Sequence, residues 1–258
     1  MRIKNSLKNR IYDICSHSAV TLILISVLLF SLVACGKNRN IAVYTYELDD
    51  SGNAVITGLT ENGATYSSLT IPSSIDGKTV TTIAAEAFRG NSIITKVTVS
   101  SGITEIRENA FFACSNLSSI EIPDTVEKIG SNAFTSTAWL NEELNKSDIV
   151  VAGNVLCASR NAKGDIKIAD NVKSISSGAF YNNKDISSVT LPAGLISIDS
   201  YAFAGCSSLT NITLPEGLKS IGYGAFSDTG IKSITVPASV EEIGNEAFSG
   251  IAEVIKKN

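Results

Sequence analysis

The sequence predicts a repeat solenoid, mainly β, in which short coils form a right-handed stack with a parallel sheet on one face. Three observations lead to this fold class: a fixed period, an alternating apolar segment in each period, and a proline that ends most of these segments. The dipeptide Ala-Phe marks the period, and its phenylalanines lie 23, 23, 46, 23, 23 and 22 residues apart. A period of about 20–29 residues is typical of stacked units that bury their apolar faces against one another. The marker residues are Phe88, Phe111, Phe134, Phe180, Phe203, Phe226 and Phe248.

One coil shows the pattern that the others repeat. Residues 120–123 read Ile-Glu-Ile-Pro, the alternation of a strand with one buried face followed by a residue that cannot donate to a ladder. Val126 and Ile129 then return the chain to the core, and Gly130 suits a turn or close packing. Phe134 follows, beside a small alanine that leaves room for its ring.

The start of the repeat region predicts a cap made of a β-hairpin. Residues 44–48 and 54–56 are strand-like and flank a turn at 49–53, Asp-Asp-Ser-Gly-Asn, so we assign residues 41–65 to the cap and 66–258 to the solenoid. The turn is faintly similar to a calcium loop, but it lacks the twelve-residue spacing and the distal glutamate. Asp76-Gly77 predicts a further small hairpin in the first coil.

The interval of double length predicts an insertion at residues 135–164. Residues 149–151 and 155–157 are strand-like and flank Ala-Gly-Asn, which indicates a hairpin that replaces one coil. The gap is two whole periods, so the stack should resume in register at Ile166. Trp139 has two open interpretations: it covers the apolar surface that a missing coil exposes, or it is a surface anchor for a partner.

The N-terminus predicts an export signal over residues 1–34. Four basic residues precede an uncharged run from 19 to 34, which is short for a spanning helix of about 20 residues. Leu32-Val33-Ala34-Cys35 resembles the lipobox of bacterial lipoproteins, which implies a lipid on Cys35 and a tether over 35–40. We therefore expect a lipid-anchored, extracytoplasmic protein of the bacterial cell envelope. An uncleaved membrane anchor is the alternative.

The coil pattern resembles the BspA-type leucine-rich repeat of bacterial surface proteins over about residues 41–255. That resemblance implies a leucine-rich-repeat-type stack and an interaction protein, such as an adhesin, that binds a protein or glycan ligand. The classical asparagine after the strand is missing, and proline stands there at Pro123, Pro192, Pro215 and Pro237. The alternative role is a structural scaffold that organises other envelope proteins.

Charge and residue inventory argue against several functions. Residues 35–258 carry 17 basic and 24 acidic groups, and an acidic surface makes nucleic acid an improbable partner. The only histidine, His17, lies in the predicted signal, which removes histidine-based catalysis and most zinc sites. We expect no cofactor, no metal and no enzyme. A two-carboxylate glycosidase needs no histidine and stays a remote alternative, although acids such as Glu105, Glu127 and Glu241 are typical of solubilising positions.

The outward side of the predicted sheet is the expected binding surface, with Trp139 as an additional candidate. Repeat scaffolds use such a surface for docking, although threonine is also simply well tolerated in strands. One outward column comprises Thr98, Glu121, Lys167, Thr190, Thr213 and Thr235, and its neighbour comprises Lys96, Ser119, Asp165, Ser188, Asn211 and Ser233.

The cysteines of the repeat region are not expected to form disulfides. Cys114 and Cys206 are four periods apart, which places them roughly 19 Å from each other in a stack, beyond the ~7 Å that a bridge allows. Both are interpreted as small buried residues, and Cys157 has no evident partner.

Overall fold

The computed structural model describes residues 42–257, which form a β-solenoid of stacked parallel strands with little helix. Each complete coil has three sides: a longer strand, a short strand, and a turn that carries the Ala-Phe dipeptide. The predicted signal at 1–34, Cys35 and the tether at 35–40 lie outside the described residues, as do residues 41 and 258.

The longer strands form the first side of the coils, and their alternating side chains bury one face. They pair in parallel within three separate sheets, ordered β3-β6-β8, β12-β14-β16 and β18-β20. The strands are β3 (Ser68–Ile71), β6 (Lys96–Val99), β8 (Ser119–Glu121), β12 (Gly164–Lys167), β14 (Ile186–Thr190), β16 (Asn211–Ile212), β18 (Ser233–Val236) and β20 (Glu253–Lys256).

A second side carries short strands that the sequence prediction had treated only as a return to the core. Most are two residues long, and each of these two-residue strands ends on a buried or half-buried isoleucine such as Ile129. The strands on this side are β5 (Lys78–Ile83), β7 (Glu105–Ile106), β9 (Lys128–Ile129), β11 (Val155–Ser159), β13 (Ser174–Ile175), β15 (Ser197–Ile198), β17 (Ser220–Ile221) and β19 (Glu242–Ile243). Strands of two hairpins extend these sheets: β1 (Tyr44–Leu48), β2 (Ala54–Leu59) and β10 (Ile149–Ala152). The two sheets have the orders β1-β2-β5-β7-β9 and β10-β11-β13-β15-β17-β19.

The third side confirms the alignment of the marker phenylalanines. Within the first half the rings of Phe88, Phe111 and Phe134 are stacked with centroids 4.9 and 5.7 Å apart. In the second half the stack from Phe180 to Phe248 has spacings of 5.1, 5.4 and 5.9 Å. The backbone reinforces it, because the phenylalanine amide of one coil donates to the alanine carbonyl of the next at 2.8 Å, as in Phe88 to Ala110 and Phe203 to Ala225.

A hairpin stands at the start of the stack, as the sequence predicts. β1 (Tyr44–Leu48) pairs antiparallel with β2 (Ala54–Leu59), and β2 continues in parallel to β5. Asp49 holds the turn, since its carboxylate accepts hydrogen bonds from the amides of Ser51 and Asn53 at 2.9 and 2.8 Å. The resemblance to a calcium loop is therefore explained by a turn. A second hairpin joins β4 (Ser74–Ile75) to β5 through Asp76 and Gly77, both at positive φ.

The insertion contains a helix that the sequence analysis did not predict. Helix α1 (Ala138–Lys146) precedes the hairpin formed by β10 (Ile149–Ala152) and β11. Buried Thr137 caps the helix by accepting a hydrogen bond from the Leu140 amide at 3.1 Å. This coil therefore has a helix instead of its longer strand, and the hairpin supplies β11 as its short strand.

Glycine after the short strand allows neighbouring coils to approach closely. A Cβ on Gly130, Gly222 or Gly244 would lie 2.3–2.4 Å from a backbone nitrogen of the preceding coil. None of the three has a positive φ, so a left-handed conformation does not require the glycine. The carbonyl oxygen of each accepts a hydrogen bond from the amide three residues later at 3.3 Å, so the glycine begins a turn and also permits close packing, the two roles that the sequence left open.

The three cysteines of the described chain are free thiols. Cys114 and Cys206 are fully buried, and their Sγ atoms donate to the carbonyl oxygens of Phe88 and Phe180 at 3.0 and 3.1 Å. Burial raises the pKa of both thiols to about 11. They act as small core residues, as predicted.

Candidate functional site

The predicted outward columns lie on the longer strands and face solvent in register. Thr98 is opposite Glu121, Lys167 is opposite Thr190, and Ser188 is opposite Asn211. We call this surface the threonine face. Its exposed members include Glu121, Lys167, Thr190, Asn211, Thr213, Ser233 and Thr235, while Thr98 and Ser188 are half-buried.

Polar contacts already engage part of the threonine face. Glu121 accepts hydrogen bonds from Lys96 at 2.8 Å and Thr98 at 3.3 Å, and the contact with Lys96 lowers the pKa of its carboxyl group. Asp165 accepts from the hydroxyls of Ser188 and Ser187 at 2.7 and 3.1 Å, and these bonds lower its pKa. These contacts order the surface but leave the threonines of the later coils available.

The threonine face is not the continuous wall that the sequence predicted. Helix α1 interrupts it between Glu121 and Lys167, because the inserted coil has no longer strand. A second break separates Thr213 from Thr235, since β16 pairs only with β14 and β18 only with β20. The segment between Phe226 and β18 is one residue shorter than the corresponding segment of the preceding coil, so β18 loses register with β16.

Two shallow depressions lie at the threonines of the second half. One of about 340 Å³ is lined by Ser188, Thr190, Asn211 and Thr213 among others. The other, of about 190 Å³, lies at the second break and is lined by Thr213, Ser233 and Thr235, with Glu216 and Lys257 at its edge. The structure thus brings together the later members of both predicted columns, with Lys167 opposite Thr190, and separates them from Thr98 and Glu121.

The short strands carry a groove that the sequence analysis missed. It has a volume of about 420 Å³ and extends over the outward residues from Asp124 to Glu242. We call it the short-strand groove. Backbone hydrogen bonds align five residues of the groove in one column. The amide of each residue after the first donates to the carbonyl oxygen of the residue before it in the column, at 2.8 Å in every case. The column is Asn154, Lys173, Ile196, Lys219 and Glu241.

The charges of the short-strand groove are ordered along the stack. Acids occupy its two ends, with Asp124 and Glu127 at one and Glu241 and Glu242 at the other, and lysines lie between them. Lys219 forms an ion pair with Glu241 at 2.6 Å. Four strands separate the two acidic ends, which gives no close carboxylate pair across the groove for glycoside hydrolysis.

An exposed isoleucine lies in the middle of this charged groove. Ile196 is 48% exposed although it stands between Lys173 and Lys219, at a position where the other coils have polar residues. An apolar side chain surrounded by charges can bury its surface against a partner while the charges orient that partner. The signal in the sequence was this single apolar residue in an otherwise polar column.

Trp139 packs against the core and stays partly exposed. Its ring meets Phe134 edge to face with centroids 5.1 Å apart, and its amide donates to the Leu117 carbonyl at 2.7 Å. It therefore ends the first ring stack where the next phenylalanine is absent. Its ring is half-buried, and its role as an anchor for a partner stays a prediction.

Within residues 42–257 no group of three or more histidine, cysteine, aspartate or glutamate side chains could hold a metal ion. In the same part of the chain, no helix has the length and apolar character needed to cross a membrane.

Comparisons with known proteins agree on the repeat. The model of the BspA type leucine-rich repeat region matches in 6 copies over residues 61–155 and 157–254. The fold is similar to the T. pallidum leucine-rich repeat protein TpLRR, with 24% identity over 74% of this chain and 89% of that chain and a TM-score of 0.42. A leucine-rich repeat protein of Bacteroides ovatus is 25% identical over 81% of this chain and 61% of its own length, with a TM-score of 0.36.

The pneumococcal vaccine antigen PcpA is 17% identical over 86% of this chain and 81% of its own, with a TM-score of 0.39. No curated protein matches the sequence. The family model covers well over half of the residues, in the segments that form the coils. The chain belongs to the BspA-type leucine-rich repeat family.

Proposed function

We propose that this protein is a lipid-anchored, extracytoplasmic scaffold of the bacterial envelope that binds a protein or glycan ligand, as an adhesin does. One observation carries the binding role: exposed Ile196 lies in an in-register column between Lys173 and Lys219. A rigid stack of repeats loses little conformational entropy when it binds a partner, so this architecture favours binding over catalysis.

The short-strand groove is the preferred docking surface for a protein partner. Its central lysines favour acidic groups on the partner, and Ile196 supplies apolar area that becomes buried in the complex. The threonine face is the second surface, because Thr190, Thr213 and Thr235 offer hydroxyl groups at strand spacing.

The test is a pull-down from host and bacterial extracts with residues 36–258, followed by affinity measurement on the recovered partner. Ile196→Glu should weaken binding at least tenfold if the groove docks the partner, since a central apolar contact is replaced by a charge. The triple variant Thr190→Lys, Thr213→Lys and Thr235→Lys should weaken binding at least tenfold if the threonine face docks the partner. A partner that binds both variants as tightly as the parent chain would refute both placements.

The lipid anchor follows from the sequence around Cys35. Lipid chains attached there would hold the coils close to the membrane, because only residues 36–43 separate Cys35 from β1. A scaffold that organises other envelope proteins is the competing role. Protease added to intact cells should degrade an adhesin and leave an internal scaffold intact.

A further inference from the structure

Three exposed tyrosines form a row along the turn side of the second half. Tyr181, Tyr201 and Tyr223 belong to successive coils and are 63%, 43% and 44% exposed. Their ring centroids lie 6.4 and 5.2 Å apart, with interplanar angles of 84° and 65°. The buried phenylalanine rings cover each other's faces, whereas the tyrosine rings meet edge to face and stay exposed to solvent. We call these residues the tyrosine stripe.

The backbone holds the central tyrosine in the left-handed region. Tyr201 has a φ of 57°, at a position that has a positive φ in all seven coils with the Ala-Phe marker and is occupied elsewhere by Glu86, Asn109, Asn132, Gly178, Gly224 and Glu246. The conformation is therefore a property of the repeat, and a residue other than glycine there costs about 1–3 kcal/mol. The ring of Tyr201 lies over the backbone of the next coil, because a Cβ on Gly224 would come within 3.0 Å of Tyr201 Cε1. The glycine thus makes room for the ring.

The turns that carry the tyrosine stripe hold few charged residues. From four residues before each phenylalanine to three after it, their only charged residues are Asp199 and Asp228. The corresponding turns of the first two coils carry Glu86, Arg89, Arg107 and Glu108. Exposed aromatic rings with hydroxyl and amide groups and few charges match a neutral, hydroxyl-rich ligand.

We propose that the tyrosine stripe binds a neutral polysaccharide chain that runs along the stack. The apolar face of a sugar ring stacks on a free phenol ring, while the phenol hydroxyls and amides such as Asn182 hydrogen-bond the sugar hydroxyls. One tyrosine for each coil gives a row whose spacing is similar to the length of a sugar unit. This inference deepens the proposed binding role by naming a ligand class, and it uses a different side of the coils from the short-strand groove.

Affinity electrophoresis tests the proposal with the folded chain of residues 36–258. Native gels would contain mixed-linkage β-glucan, galactomannan, arabinoxylan or amylose. At least one of these polysaccharides should retard the chain, and Tyr181→Ala or Tyr223→Ala should each raise the apparent dissociation constant about tenfold, the usual effect of removing an aromatic anchor. Tyr201→Phe should keep most of the retardation, because the ring stays.

Matched controls separate this proposal from the groove and from general surface effects. Tyr66→Ala removes a tyrosine that is 45% exposed outside the stripe and should leave retardation unchanged. Ile196→Glu should also leave retardation unchanged. A loss of partner binding at the short-strand groove can therefore be distinguished from a loss of polysaccharide binding at the tyrosine stripe. Unaltered mobility in all four gels would overturn the proposal, as would binding of a protein partner that depends on the same tyrosines.

Discussion

The ring of Phe203 lies on the ring of Phe226 in the next coil, with centroids 5.4 Å apart and planes inclined by 7°. Both side chains are fully buried. We expect Phe203→Ala to lower the free energy of unfolding by about 3–5 kcal/mol, through lost burial and the cavity that remains. Urea unfolding followed by circular dichroism measures this. Phe248→Ala, at the half-buried end of the stack, should cost clearly less, and equal losses would contradict the stacked core.

The glycine after the short strand is expected to be intolerant of a side chain. In Gly222→Ala the new Cβ would meet Ser200 N at 2.3 Å, so the two coils must separate. We expect a loss of at least about 2 kcal/mol in thermal or urea unfolding. Gly217→Ala is the matched control, since its nearest neighbour would be Ala193 O at 3.5 Å and its φ is not positive. A similar loss in both variants would show that close packing is not the cause.

Asp199 makes stability depend on pH. Burial raises the pKa of its carboxyl group from 3.8 to about 6, with Lys128 lowering and Glu105 raising it. The folded chain therefore binds the proton more tightly than the unfolded chain between about pH 4 and 6, and stability present below pH 4 is lost as the pH rises to 6. We expect Asp199→Asn to stabilise by up to about 3 kcal/mol at pH 7 and not at pH 3.5.

A control of opposite sign accompanies that measurement. Hydrogen bonds from Ser188 and Ser187 lower the pKa of Asp165, so its contribution to stability is present above the unfolded pKa and is lost in acid. Asp165→Asn should therefore destabilise at pH 7 and have no effect at low pH. Urea titrations of both variants at several pH values check the pair. A gain from Asp199→Asn that does not change with pH would contradict the role of burial.

Much of the fold was predictable because its signals are periodic and local. The phenylalanine period locates the ring stack, and the turns at Gly52, Asp76-Gly77 and Gly153 correctly predict three hairpins. The second sheet was missed because its strands span only two residues, too few for alternation to be detected. Helix α1 was missed although Thr137 is a good N-cap and Leu140 and Leu144 share one helical face. The sequence analysis assigned the whole insertion to the hairpin that follows the helix.

The candidate surfaces were harder to predict, because they depend on which residues become neighbours across coils. The column from Asn154 to Lys173 spans 19 residues instead of 23, so counting periods does not align it, whereas the backbone hydrogen bonds do. The second break in the threonine face comes from one missing residue after Phe226. A single deletion is small in the sequence but decides whether two strands share a ladder.

Lipidation of Cys35 predicts where the protein is found in the cell. The sulfur would carry a diacylglycerol, and two acyl chains give stable membrane attachment, since each buried methylene contributes about 0.8 kcal/mol. We expect the parent chain to sediment with membranes and to incorporate labelled palmitate. Cys35→Ala should abolish the label, whereas Cys157→Ala is the matched control for a cysteine within the coils and should keep it. Membrane association and label that survive Cys35→Ala would indicate an uncleaved anchor and would remove the lipid from the proposed function.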